Sequence, residues 1–272
     1  ILELEQRLAD RNQQLQSANQ HMRRDLEAAA DVQQALLPDV LPDVPGIKLA
    51  WSLRPCEQLA GDFLNVLPLD DRHLALYVAD VSGHGVVASL LAVTISHVLT
   101  AQASASSILV RAQRGSSKVN IVPPRKVGKE LNRRFQMEDS GGSYFTLVYG
   151  VMDIVSRQFR YISAGHAPIL RLRPGKEPDF LESGGFAIGW DEDYEFDEFT
   201  VDLEAGDRLC IYSDGVPEAM NEDLESFGNE RFIEACREGY EQDLQAAVSH
   251  LLSRVEQWCG ASGPKDDVSI LA

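Results

Sequence analysis

Cysteine is scarce in this chain, and the four that occur among its 272 residues (Cys56, Cys210, Cys236, Cys259) include no C-x-x-C pair. Neither a zinc site nor a disulfide framework is signalled, and a reducing cytosol is the simplest compartment to expect. Long apolar runs are missing too. The most apolar stretch, 86–95, is interrupted by Ser89 and Thr94 and falls well short of the roughly 20 residues a bilayer span needs, so no membrane segment is expected. Positive charge is in deficit, with 25 Lys and Arg against 42 Asp and Glu and a formal net charge of −17. Such a chain repels nucleic acid, which makes a metal-dependent nuclease the weakest of the hydrolytic readings. No charged segment followed by an apolar core opens the sequence, which starts at Ile1; further residues are expected upstream of it.

What is present is enough apolar content, 44%, to bury a large core. Leu8, Leu15, Met22, Ala29 and Leu36 recur every seven positions, with Leu4, Ala18 and Val32 partly filling the companion seam and Arg11 and Asp25 breaking it. This pattern predicts a coiled-coil linker over residues 1–36 that joins two copies of the chain; the alternative is an amphipathic helix lying on its own domain. Pro38, Pro42, Pro45 and Gly46 end that helix, and a second unit, 37–272, follows. Within it, strands are expected at 47–53, 73–78, 144–152, 158–163, 169–172, 195–201 and 208–212, and helices at 86–101, 124–135, 229–237 and 243–258. Runs of strands separated by a few helices read as α+β with antiparallel sheets. The Ser-, Gly- and base-rich stretch 102–124 reads as a long mobile loop.

One segment runs against the overall charge. From Arg111 to Arg134 there are eight basic residues (Arg111, Arg114, Lys118, Arg125, Lys126, Lys129, Arg133, Arg134) and one acid, Glu130. Either it recruits an acidic or phosphorylated protein, or it leans on the chain's own acidic run, 191–204.

Four aspartate-bearing turns stand out: Ala60-Gly61-Asp62, Asp80-Val81-Ser82-Gly83-His84-Gly85, Ser213-Asp214-Gly215 and Lys265-Asp266-Asp267-Val268-Ser269. Each is expected where a strand gives out. Carboxylates gathered at close quarters repel unless a hard cation such as Mg²⁺ or Mn²⁺ joins them. Any single Asp-Gly pair is ordinary turn chemistry; four after strands are a constellation.

Together with Leu59, Phe63, Ala164-Gly165-His166 and Val216, these motifs resemble, in order, those of SpoIIE/RsbU-type phosphatases, the bacterial branch of the metal-dependent phosphatases similar to type 2C. The resemblance spans about residues 30–272. It implies a four-layer α-β-β-α sandwich of two antiparallel sheets flanked by helices, with two Mn²⁺ or Mg²⁺ ions at one edge. Carried over, Asp80 would bridge the metals, the carbonyl of Val81 would complete one, and Asp62, Asp214 and Asp266 would fill the shells, with Asp267 able to replace Asp266. His84 would be the general acid for the leaving oxygen, or would only shape its turn; His166 reads as a brace. Two departures are Ala60, where the family often has glycine, and Asn65, where it often has an acid whose loss would weaken metal binding.

The activity implied is hydrolysis of phosphoserine or phosphothreonine on a protein, the substrate being a phosphorylated anti-sigma-factor antagonist. The linker resembles the stalk of response regulators similar to RssB, which implies an upstream receiver domain. The competing reading is a non-catalytic adaptor that keeps the fold and sequesters a regulatory partner.

Overall fold

The computed structural model describes residues 2–83, 85–104, 106–113, 115 and 119–272. It opens with α1 (Leu2–Gln34), a helix of 33 residues. Leu8, Leu15 and Met22 are each 56% exposed, so this part of the heptad stripe is left uncovered by its own domain. Contact begins at the helix's end. Gln33 is buried and exchanges two hydrogen bonds with Ala60, its Nε2 donating to the carbonyl and its Oε1 accepting from the N–H.

Two five-stranded antiparallel sheets form the body. The first is built from β2 (Phe63–Pro68), β3 (His73–Val81), β6 (Phe145–Asp153), β7 (Gln158–Ala164) and β10 (Phe199–Asp202), in the order β10-β7-β6-β3-β2. The second orders β1 (Trp51–Arg54), β8 (Leu170–Leu172), β9 (Asp179–Phe180), β11 (Arg208–Tyr212) and β12 (Val268–Leu271) as β1-β12-β11-β8-β9. Side chains alternate between faces along each strand. Ala75, Tyr77, Ala79 and Val81 of β3 pack beneath α2 (Val86–Val98) and α3 (Pro124–Arg134). Leu74 and Val78 meet Ile211 and Leu271 of the other sheet in a central core. Cys210, Tyr212, Val268 and Ile270 face α4 (Gly228–Glu238) and α5 (Leu244–Cys259), whose Phe232, Val248, Leu251 and Val255 seal the fourth layer. The expected α-β-β-α sandwich is therefore the fold, with α5 capped where Asp243 accepts from the N–H of Gln245.

The 102–124 stretch departs from the expected loop. Ile108, Leu109 and Val110 are fully buried, and Val110–Ala112 (β4) pairs with Val119–Ile121 (β5) in a small hairpin. Three consecutive apolar residues outweigh polar flanks, because burying each contributes about 1.5–3 kcal/mol. Strand β2 also went unforeseen, as did β12, only four residues long and adjoining a polar turn. The expected strand at 195–201 is shorter than predicted and lies at Phe199–Asp202.

Candidate metal centre

The expectation that each aspartate turn follows a strand holds only for Asp214. Asp80 lies inside β3, Asp62 precedes β2, and Asp266 and Asp267 precede β12. Antiparallel pairing reconciles the two arrangements, since the start of one strand adjoins the end of its neighbour. Phe63 pairs with Ala79, so Asp62 stands across from Asp80. Tyr212 pairs with Ile270, which brings the end of β11, and Asp214 beyond it, beside the Asp266-Asp267 turn. Alternation then places Asp62 and Asp80 on the face that Leu64 and Val78 present to the opposite sheet.

The electrostatics register this crowding. Asp62 is 2% exposed, one of its carboxylate oxygens has no hydrogen-bond partner, and burial followed by the charge of Asp80 holds its acid well above the ordinary range. Asp80 is pushed up to about 7 by burial, then by Asp214, Asp266 and Asp267. Asp214 is raised to about 6 by burial, then by Asp266 and by Glu218, which the sequence did not single out. A set of oxygen donors that repel one another, one of them orphaned and buried, fits a hard divalent cation.

Two glycines let the motifs close up. A Cβ on Gly61 would meet the Val81 carbonyl at 2.8 Å, and one on Gly215 would meet the Asp267 carbonyl at 2.0 Å. Neither backbone can retreat from the sandwich edge, so both positions exclude a side chain. Cys56 was not anticipated here: its sulfur and the carboxylates of Asp266 and Asp267 lie within 4.8 Å of one another. Burial and then Asp267 push its thiol up to about 12, so in the absence of a cation it stays protonated at neutral pH.

Asn65 is not part of this cluster. It follows Phe63 by two residues and so shares the opposite face of β2; its Nδ2 donates to the Leu36 carbonyl at 3.1 Å. It lines a cavity of about 490 Å³ with Ala35, Leu36, Tyr77 and His97, which none of the four aspartates reaches. The acid missing at this position therefore takes no ligand away from the carboxylate cluster, and the amide secures the end of the linker instead.

His84 lies outside the described residues. His166 is 7% exposed, its Nδ1 is 2.7 Å from Thr146 Oγ1, and burial pushes it down to about 4. An imidazole kept neutral in this way has no proton to give at pH 7, in keeping with a brace. It borders a cavity of about 420 Å³ that Asp214, Glu218 and Asn229 also line.

The part of the basic segment carried by α3 is paired within the chain. Lys129 Nζ is 3.1 Å from Glu195, and Arg133 and Arg134 both pair with Glu130. Arg114 and Lys118 lie outside the described residues. Exposed pairs of this kind contribute about 0–1 kcal/mol. Substituting Lys129 by Ser is accordingly expected to leave both the Michaelis constant for a phosphoprotein and its salt dependence within about twofold of wild type. A steep rise in the constant at low salt would restore the recruiting reading for this helix.

Comparison with known proteins points the same way as the geometry. Residues 70–272 match the family described as Stage II sporulation protein E (SpoIIE). The phosphoserine phosphatase RsbU of Bacillus subtilis (strain 168) is 28% identical over 213 residues, covering 78% of this chain and 58% of that protein. The chain thus spans less than two thirds of this curated relative's length. The SiaA-PP2C domain of Pseudomonas aeruginosa superposes with a TM-score of 0.75 at 21% identity, covering 93% of this chain and 97% of the other. The PP2C phosphatase domain and regulatory-domain fragment of SpoIIE from Bacillus subtilis superposes with a TM-score of 0.62 at 16% identity, covering 83% and 62%. These structural likenesses establish a shared fold.

Proposed function

This chain belongs to the SpoIIE family, and from that premise we propose that it is a metal-dependent phosphatase acting on phosphoserine or phosphothreonine of a protein. The observation that carries the reading is the convergence of Asp62, Asp80, Asp214 and Asp266 at one edge of the sandwich, where burial and then neighbouring carboxylates raise the acids of the first three. We assign these four, with the Val81 carbonyl, to hold two Mn²⁺ or Mg²⁺ ions. Bound cations would neutralise the phosphoryl oxygens and acidify a water at the site.

The chain's own groups do the rest. Asp80, opposite Asp62, would help to hold both cations in this reading. The glycines flanking His84 adopt positive φ of 85° and 81°, a conformation that lets the turn bend sharply after β3; in this reading His84 hands a proton to the departing serine or threonine oxygen. The test is phosphate release from a phosphoprotein by the chelated chain with and without added Mn²⁺. Release that is equal under both conditions, or absent under both, sinks the reading; absence with intact partner binding indicates an adaptor.

The substrate in this reading is a phosphorylated anti-sigma-factor antagonist, in keeping with a relative named phosphoserine phosphatase. The protein works in a reducing cytosol, where four free cysteines persist, downstream of a receiver domain. Among the described residues no helix is long and apolar enough to cross a membrane.

The unpartnered stripe of Leu8, Leu15 and Met22 supports a parallel homodimer through α1. Sedimentation is expected to give a dimer for the full chain and a monomer for a chain starting at Asp31, which keeps the Gln33 contact. A full chain that stays monomeric at the highest concentration it tolerates would refute it.

A further inference from the structure

Asp267 is 3% exposed and spends its carboxylate on backbone. Its Oδ1 accepts from the N–H of Cys56 at 2.8 Å; its Oδ2 accepts from the N–H of Gly61 at 2.6 Å and of Asp62 at 3.3 Å. Its main chain is engaged as well. The Asp267 carbonyl accepts from Ser213 Oγ at 3.2 Å and abuts Gly215, while its N–H donates to Asp266 Oδ1 at 2.8 Å. One residue therefore touches the segments that carry Asp62, Asp214 and Asp266, which lie far apart in sequence.

We propose that Asp267 is the positioning residue of the metal centre and not one of its ligands: it fixes the loop before Asp62, the turn around Asp214 and the carboxylate of Asp266 relative to one another. The proposal rests on the reading of those three acids as ligands. The chemistry favours a carboxylate at this point. Three N–H groups converge on two oxygens, and hydrogen bonds to an ionised acceptor are about twice as strong as neutral ones. Asparagine offers one oxygen, so its Nδ2 would face either the Cys56 donor or the Gly61 and Asp62 donors and leave them unpaired in a buried place. Groups that orient ligands without binding the metal typically change affinity by about 10–100-fold when replaced. A ligand acts differently, because its loss removes coordination that added metal does not restore.

Calorimetric titration of Mn²⁺ into chelated wild type, Asp267→Asn and Asp80→Asn separates the possibilities. Asp267→Asn is expected to weaken binding about 10–100-fold at unchanged stoichiometry, with turnover at saturating Mn²⁺ returning to within a few-fold of wild type. Unchanged affinity overturns the proposal, and so does loss of a bound ion at every Mn²⁺ concentration, which would make Asp267 a ligand. Amide exchange on the metal-free wild type is decisive even if Asp267→Asn does not fold. The N–H groups of Gly61 and Asp62 should exchange as slowly as those of β3; exchange at the rate of an open loop would refute the brace. If Asp80→Asn leaves Mn²⁺ binding untouched, the ligand reading itself fails and the brace falls with it.

Discussion

Substituting Asp80 or Asp214 by Asn is expected to lower turnover on a phosphoprotein by on the order of 10²–10³-fold while raising the metal-free melting temperature. The loss follows from chemistry in which cations contribute several kcal/mol to the transition state, at tenfold per about 1.4 kcal/mol. The gain follows from the same crowding. Asp80 is pushed up to about 7 by burial and by three neighbouring acids, so at pH 7.5 the metal-free fold holds a carboxylate that costs free energy to ionise. A neutral amide of the same shape relieves that cost. Asp214 is less buried and raised only to about 6, so its variant should gain less stability than that of Asp80. Turnover and a chelated thermal melt on the same samples decide the matter. Near-normal turnover in either variant removes that acid from the metal centre, and a lowered melt with lost turnover means only that the fold was damaged.

The motifs were legible in the sequence because aspartates flanked by glycine at strand ends leave a local mark that needs no tertiary contact to be seen. The four-layer sandwich came from the family resemblance; the segment pattern alone reached only α+β. Strand parity held further information that was left unread. Asp62, Leu64 and Val66 alternate with Phe63 and Asn65, and that period of two already separates Asn65 from the acids, provided β2 is recognised as a strand. It was hidden because its pattern runs straight out of the Gly61-Asp62 turn and ends at Pro68. The contacts of Asp267 were not readable at all, since its partners Cys56, Gly61 and Asp62 lie more than 200 residues away. Nor was Gln33, whose pairing with Ala60 copies a backbone exchange using a side chain. The charge runs left two readings open, and Lys129 with Glu195 favours the one in which the basic segment leans on the chain's own acidic run; the two sit 66 residues apart and meet only when α3 packs beside the loop leading to β10.

The chelated protein is expected to lose on the order of 5–10 °C in melting temperature between pH 6 and pH 8. Asp80 and Asp214 have folded-state values of about 7 and about 6, above their ordinary 3.8. Acids raised on folding bind protons more tightly in the native state, so the stability they contribute is complete below about pH 4 and is lost as pH climbs through 6 and 7. Asp62, raised by burial and by Asp80, adds to the same trend. His166 works in the opposite sense: pushed down to about 4 from 6.5, it stabilises the fold above pH 6.5 and loses that contribution as pH falls. Between pH 4 and 6.5 its gain offsets only part of what the carboxylates lose, and above pH 6.5 the carboxylates act alone. Over two pH units they amount to a few kcal/mol, and each kcal/mol moves a domain of this size by about 2–4 °C. Saturating Mn²⁺ should reverse the slope, because cations bind the deprotonated acids and bind them better as pH rises. Melts at pH 6, 7 and 8, with chelator and with Mn²⁺, test both halves. A chelated melt that climbs steadily from pH 6 to 8 would show that these carboxylates do not repel one another in the folded chain, and the case for a cation between them would lose its physical basis.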